Sequence, residues 1–538
     1  MKRSLALFIS LGMMLSVLAW AGCGDTPADP TTTASTTTAA TTTAATTTAE
    51  GTTAATTDST PAQTTETTAP QDTTAKGSSE DTTDIPPATE TTMADSPVID
   101  LSGFDGYTKL PGYEDVDFGG RVFTLGLHDG GNELMFYTDG TTVRDVAVRE
   151  RNALVEKLYN CKIECNLSAS PATLVNADVT GNICTIDYYM TQYPSPGTAT
   201  NKQNYNLYNL GINFENPWWS EAYVDSFTVD KNGTPALYGA YGNFCGFGST
   251  YCLFYNIDVY NQSAVCRQYD IYQLVRDKKW TMDIFVEMIK DVKHDANGNS
   301  TYSYADGDIM GWIRSGHATH AMHVASDLRI IENVNGKFSF APAMRANEWS
   351  DVITKAIDVY ATEGSQDVSY SYIPDYVASD KALFFSEILE TVENMKDMDV
   401  SIGLVPYPLY TETQENYCNY LDNHIQDWHI PVSVSDPETV ATFAELYACH
   451  SDYTVHPANI EMYTVELLGD EESAEMMELI FDNITFDPGY LWWSNYETDL
   501  GNMIASGKNN VTQWAGRKGT DVQKKIDEFM TGILDNKN

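Results

Sequence analysis

The chain has 538 residues, 42% of them hydrophobic, and 75 acids against 31 lysines and arginines give it a net charge of −44. So negative a field repels nucleic acid and phosphate-rich ligands and favours neutral or cationic solutes. Setting aside two bases at the start, and eleven acids and one lysine in the segment after it, leaves 64 acids and 28 bases from Val98 onward. That part is too large for one compact core and predicts two lobes.

Lys2 and Arg3 precede an apolar run, Leu5 to Trp20, that stops at Ala21-Gly22-Cys23. The pattern predicts a signal peptide over 1–22 and not a membrane span. A cysteine directly after Ala-Gly marks a lipoprotein site, with Cys23 carrying diacylglycerol after cleavage. Trp20 stands where that motif usually has leucine, and the alternative is an ordinary secreted protein that loses Cys23 with its leader. Residues 23–98 are almost wholly Thr, Ala, Ser, Pro and acids, with Ile85 the one aliphatic β-branched residue before Val98. Such a segment cannot bury a core and predicts a disordered tether, roughly 50 Å in root-mean-square span. No later run of 18 apolar residues follows. The expectation is a protein held at the extracellular face of the cell membrane, in a Gram-positive-type envelope, through lipid alone.

In the body, Gly119-Gly120-Arg-Val-Phe-Thr-Leu125 reads as a first strand entered from a glycine turn. Thr142 to Tyr159 carries apolar residues at helical spacing, and Cys161 to Leu167 alternates like a strand. This βαβ opening implies a parallel sheet. Pro217-Trp218-Trp219 precedes two runs, Thr234–Ala240 and Ser249–Asn256, that read as strands crossing between lobes. Met282 to Val292 places Phe285, Met288, Ile289 and Val292 on one helix face. Asp380 to Ser386 reads as a strand, Val400 to Pro408 as a return crossing, and the C-terminal run to Leu534 as helix.

Apart from Cys23 there are eight cysteines. An even number outside the cell permits disulfides, with Cys161/Cys165 and Cys245/Cys252 as local possibilities, and reduced thiols remain open. No CxxC pair points to zinc.

The order Tyr255-Asn256-Ile-Asp, Lys279-Trp280-Thr281, Asp295-Ala-Asn-Gly-Asn-Ser300 and Met310-Gly311-Trp312 resembles the family 1 extracellular solute-binding proteins of bacterial ABC importers, the group that includes maltose-binding protein. Glu156-Lys-Leu-Tyr-Asn160, His429-Ile-Pro through Asp436-Pro-Glu438, and Gly469-Asp-Glu-Glu-Ser-Ala474 are similar to further family wordings, and the resemblance runs in order from about Gly119 to Ile480, more than 350 residues. The resemblance implies an α/β periplasmic-binding-protein-like (type II) clamshell with discontinuous lobes: 99–249 plus 402–456, and 250–401 plus 457–538. It implies capture of a mono- or oligosaccharide, delivery to ABC permease subunits, a monomer, no cofactor and no catalysis. The rival readings are a secreted glycoside hydrolase or lyase and a surface carbohydrate adhesin.

A sugar offers a C–H face to a flat aromatic and hydroxyls to polar side chains. The candidate ligand-binding residues are Trp218, Trp219, Trp312, Trp428, Trp492 and Trp493, with Asp129 at the end of the first strand as a hydroxyl acceptor. Each tryptophan has a packing role as its plain alternative, and Asp129 a turn. The loop Asp295 to Asp306 imitates a calcium loop but has Ser300 in place of glycine and Asp306 in place of glutamate, so a polar turn is expected. His317, His320 and His323 predict a polar helix face near the cleft, with no HExxH and no metal site. No GxSxG, Walker loop or dinucleotide-binding glycine fingerprint occurs in a usable context.

Overall fold

Thr142 opens the first long helix with a reciprocal capping box, its side chain accepting from the Asp145 backbone while the Asp145 carboxylate accepts from its own. Asn160, in the left-handed conformation, closes the same helix before the next strand. The computed structural model describes residues 107–129, 135–192, 194–422, 424–470, 472–493 and 495–538. The leader, Cys23, the tether and Gly130-Gly131 lie outside the described residues.

Nine strands build two principal sheets: β1 (Arg121–His128), β2 (Cys161–Ser168), β3 (Tyr188–Thr191), β4 (Tyr251–Asn256), β5 (Met310–Arg314), β6 (Ser365–Asp367), β7 (Ala382–Ile388), β8 (Ile402–Val405) and β9 (Asp427–His429). The first sheet has the order β9-β3-β1-β2 and the second β6-β5-β7-β4-β8. β1 runs parallel to β2 and β3, while β9 is antiparallel to β3. In the second sheet β5 is parallel to β6 and β7, and β4 is antiparallel to β7 and β8. The first sheet takes β9 from far along the chain, after the whole second sheet, whereas the second is built from the consecutive strands β4 to β8. The fold is α/β, with the first sheet discontinuous in sequence.

The helices used below are α1 (Val143–Tyr159), α2 (Pro196–Thr200), α3 (Met282–Val292), α4 (Ala318–Val324), α5 (Pro437–Asp452), α6 (Asn495–Ser506) and α7 (Val511–Asp535). The α3 face predicted from spacing buries Phe285, Met288 and Ile289 against the core. β4 and β5 are buried along their whole length, as expected of strands covered on both faces.

The chain passes between the sheets three times. Residues 237–250 lead to β4, residues 406–426 return from β8 to β9, and residues after α5 cross again through a π-helical turn, Met462–Leu468. The first two passes run side by side. Ala240 and Trp428 exchange both backbone hydrogen bonds, and the Asp422 N–H donates to the Ser249 carbonyl at 3.2 Å. The predicted strand Thr234–Ala240 is reduced to Pro235–Ala236, paired with Val229–Asp230. The rest is extended chain held by this partner pass.

All eight described cysteines are free thiols. Cys161 and Cys165 sit four residues apart on one strand, roughly 13 Å by strand rise, beyond the reach of a disulfide. Among the described residues no helix is long and apolar enough to cross a membrane.

Candidate functional site

At the carboxyl ends of β5 and β7 the chain brings together polar groups that its sequence scatters. The turn after β5 is Ser315-Gly316-His317. Gly316 has φ +52°, and a Cβ there would stand 2.3 Å from the Tyr251 hydroxyl, so only glycine fits. The turn lets the His317 backbone N–H donate to the Tyr251 hydroxyl at 2.9 Å, with the two rings stacked 6.1 Å apart. Gly316→Ala is expected to destabilise by about 2–4 kcal/mol through the left-handed strain and the clash. Urea unfolding measures this, and a change below about 1 kcal/mol would show that the turn can relax.

His317 Nδ1–H donates to one carboxylate oxygen of Asp422 at 2.9 Å, and His424 Nδ1–H donates to the other at 2.8 Å. Asp422 accepts both, since an ionised carboxylate has no donor. The His317 side chain is 43% exposed and that of His424 34%, above an Asp422 only 9% exposed. The array is therefore open at its imidazoles and closed at its carboxylate. Around it stand Glu387 at the end of β7, Glu390 just beyond, Glu497 on α6, and Tyr420 beside Asp422 in the second pass.

Their charges follow from partners and burial. Burial opposes a charge on His317, but the bond to Asp422, with Glu497 and Glu387 behind it, outweighs burial and raises its pKa. Burial alone would raise Asp422, and the two histidines instead hold its carboxyl well below the usual carboxylate range. Burial pushes Glu387 up to about 7 and Glu390 up to about 7, the latter helped by Glu393. It pushes Glu497 up to about 8. His320 is lowered well below the histidine range by burial and by His317 and His323. Strongly shifted groups at strand ends mark a functional site more often than a structural one.

Glu390 is seated by Gly248 in the first pass, where a Cβ would stand 2.5 Å from its side chain. From the first-sheet side, buried Arg144 on α1 faces Glu393 at 3.8 Å, and Tyr463 of the π-helical turn donates to the same carboxylate at 3.2 Å. Ser315, two residues before His317, donates to Glu387 and not to the imidazole. The array so presents donors, acceptors and an aromatic face, without a serine activated by that histidine.

A groove of about 530 Å³ opens between α2 and α7, with Trp493 and Phe529 on its apolar wall and Lys202, Lys525, Glu528 and Asp535 among its polar lining. Its lining does not include the array. Trp493 stands two residues before α6, the helix that carries Glu497.

Among the sequence candidates, Asp129 is exposed at the end of β1 and donates its backbone N–H to Ser168. Trp218 and Trp219 are buried and share one acceptor, the buried Glu445 carboxylate on α5, each at 3.1 Å. Trp312 is fully buried and donates to Ser386 at 2.8 Å. Trp428 is fully buried against Phe136 and Tyr188, 4.6 Å from each ring. Trp492 packs on Phe227 and Phe529, and beside it Trp493 reaches the groove. The structure thus brings Trp218 to Trp219 and Trp492 to Trp493, and separates Trp312 and Trp428 into the cores beside the two sheets. The Asp295 carboxylate accepts from the backbones of Gly298, Asn299 and Ser300, a self-satisfied polar turn. Among the described residues no group of three or more His, Cys, Asp and Glu side chains is placed to hold a metal.

The sequence reading passed over Tyr251, Glu387, Glu390, Asp422 and Glu497. One signal was present: Glu387 follows the apolar run Ala382-Leu383-Phe384-Phe385 after a single serine, and a charge at such a strand end calls for a reason.

No family model matches the chain. No curated protein matches it either. Among solved structures, the chain is similar to an ABC substrate-binding protein from Listeria monocytogenes in complex with cycloalternan, at 12% identity over 76% of this chain and 99% of that one, TM-score 0.46. It is similar to the maltose/maltodextrin-binding domain from Bdellovibrio bacteriovorus bound to maltotriose, at 11% identity over 76% and 100%, TM-score 0.44. It is also similar to an ABC transporter solute-binding protein from Agrobacterium radiobacter in complex with ribitol, at 11% identity over 78% and 99%, TM-score 0.42.

Proposed function

We propose that this protein captures a polar solute, a mono- or oligosaccharide, between two lobes and passes it to ABC permease subunits from a lipid-anchored position outside the cell. The observation that carries the reading is the array itself. It sits where two passes cross between the two sheets, at the ends of parallel strands, and is open to solvent through His317 and His424. A ligand touching both the strand-end turns and the passes favours one relative position of the sheets over another, which is how a clamshell couples capture to closure. Trp493 is assigned the role of a ring platform beyond the array, in a groove of ligand size. The permease and the monomeric state rest on the sequence resemblance, and the anchor at Cys23 on the leader that ends in Ala21-Gly22-Cys23.

The test is calorimetric titration and thermal unfolding of the secreted chain against sugars. Ligand at 100 times its Kd adds about 2.7 kcal/mol. Stoichiometric binding with the sugar recovered unchanged is expected. Silence across sugars with a response to peptides would sink the carbohydrate assignment. The buried carboxyls near neutrality are the one observation that favours a hydrolase, because a general acid needs such a pKa. New reducing ends in the same samples would establish that reading instead. Trp493→Ala is expected to weaken sugar binding at least tenfold with the unfolding midpoint little changed. Unaltered affinity would remove Trp493 from the site.

A further inference from the structure

We propose that the array receives a protonated amine of the solute, so that the protein takes an amine-bearing saccharide in preference to a neutral one. The inference rests on the solute-capture reading and adds the chemical class.

Four carboxyl groups from separate places in the chain surround one pair of exposed imidazoles: Glu387 on β7, Glu390 beyond it, Asp422 in the second pass and Glu497 on α6. The nearby arginine, Arg144, is directed to Glu393. The two histidines occupy both oxygens of Asp422.

An independent observation concerns unpaired atoms. Glu497 Oε1 and His320 Nδ1 have no hydrogen-bond partner, although each residue is less than a tenth exposed, and the Tyr420 hydroxyl turns to the Glu497 carboxyl. His320 Nδ1 and Glu497 Oε1 face each other at 3.4 Å without hydrogen-bond geometry. The Tyr420 ring lies 5.9 Å from that of His320 and 6.4 Å from that of His317, inside the same cluster. Buried polar atoms are almost always paired, so two facing each other unpaired call for a missing partner. An ionised carboxyl oxygen and an unprotonated ring nitrogen are acceptors. A group with donors only and a positive charge completes them, and an ammonium is such a group. A sugar hydroxyl offers a single donor and no charge.

Electrostatics point the same way. The carboxyls of Glu387, Glu390 and Glu497 are driven toward their protonated forms by burial. An incoming cation lets them ionise, so binding an amine releases protons near pH 7. The other groups facing the cluster are Tyr251 and the lowered His320 and His323.

The experiment is calorimetric titration of the secreted chain at pH 7 with a glucosamine trisaccharide, its fully N-acetylated counterpart, maltotriose and spermidine, repeated with Glu497→Gln. The variant removes the carboxyl's ability to ionise without changing shape, and its unfolding midpoint verifies the fold. The glucosamine trisaccharide is expected to bind at least tenfold more tightly than either neutral sugar, and Glu497→Gln to cancel most of that preference. Binding of spermidine alone, again weakened by the variant, would uphold the amine site and overturn the saccharide reading. Neutral sugars binding as tightly as the amine would overturn the amine site and leave saccharide capture standing. Failure of both amine probes to bind would overturn the proposal outright.

Discussion

Replacing Glu445 by leucine is expected to destabilise the protein by about 3–5 kcal/mol, the range for removing one partner of a buried charged network. The carboxylate accepts from the Trp218 and Trp219 indoles and from the Asn216 amide, and all three donors lose their partner at once. Glu445→Gln keeps one acceptor oxygen and is expected to cost about half as much. The consequence reaches past α5. Trp219 bridges to Gly242 in the first pass, so the corner that Glu445 holds also positions a segment leading to the array. Urea midpoints for both variants measure the effect, and a loss below about 1 kcal/mol for the leucine variant would mean the indoles find other acceptors.

Stability is expected to fall as pH rises from about 6.5 to 8, in contrast to the usual behaviour of paired carboxylates; below that window the lowered His320, His323 and His450 act in the opposite sense. Glu387 is raised from 4.5 to about 7 and Glu497 to about 8. Between the unfolded and folded values the native state binds more protons than the unfolded chain, so the slope of unfolding free energy with pH is negative. Stability from these groups is complete below about pH 4.5 and gone once pH passes their folded values. For Glu387 the shift corresponds to about 3 kcal/mol. The raised pKa of His317 acts in the same direction. Asp422, depressed by its histidines, contributes stability that is lost only as pH falls below the carboxylate range, outside this window. Glu387→Gln and Glu497→Gln are each expected to flatten the profile and raise the midpoint at pH 8. A profile without slope between pH 6.5 and 8 would show that these carboxyls are hydrated.

Local features were legible in the sequence wherever a period or a cap decides them. α1 and α3 follow from apolar spacing, and the glycines before β1 mark its entry. The tryptophans were harder to place because the chemistry that suits a sugar face also suits a core. Trp312 lies on a strand covered on both faces, so no alternation distinguished inward from outward. The array was illegible for a different reason. His317 and Asp422 are 105 residues apart, and their meeting depends on the return from β8 to β9. No local pattern encodes that meeting. What stood in the sequence was an acid at the end of an apolar strand and a glycine between Ser315 and His317. Both are explained only when Tyr251 arrives beside them.

The joining of β3 to β9 also bears on how the chain acquires its structure. Thr191 and His429 lie side by side at the end of the first sheet, yet 238 residues separate them. Until residue 429 is available, β3 has a bare edge able to pair with any other extended chain. Pairings so distant are slow to form, because loop closure must precede their reward. At about 5–20 residues per second, synthesis alone delays that pairing by roughly 12–50 seconds. The first sheet therefore stays open at one edge through most of the chain's synthesis.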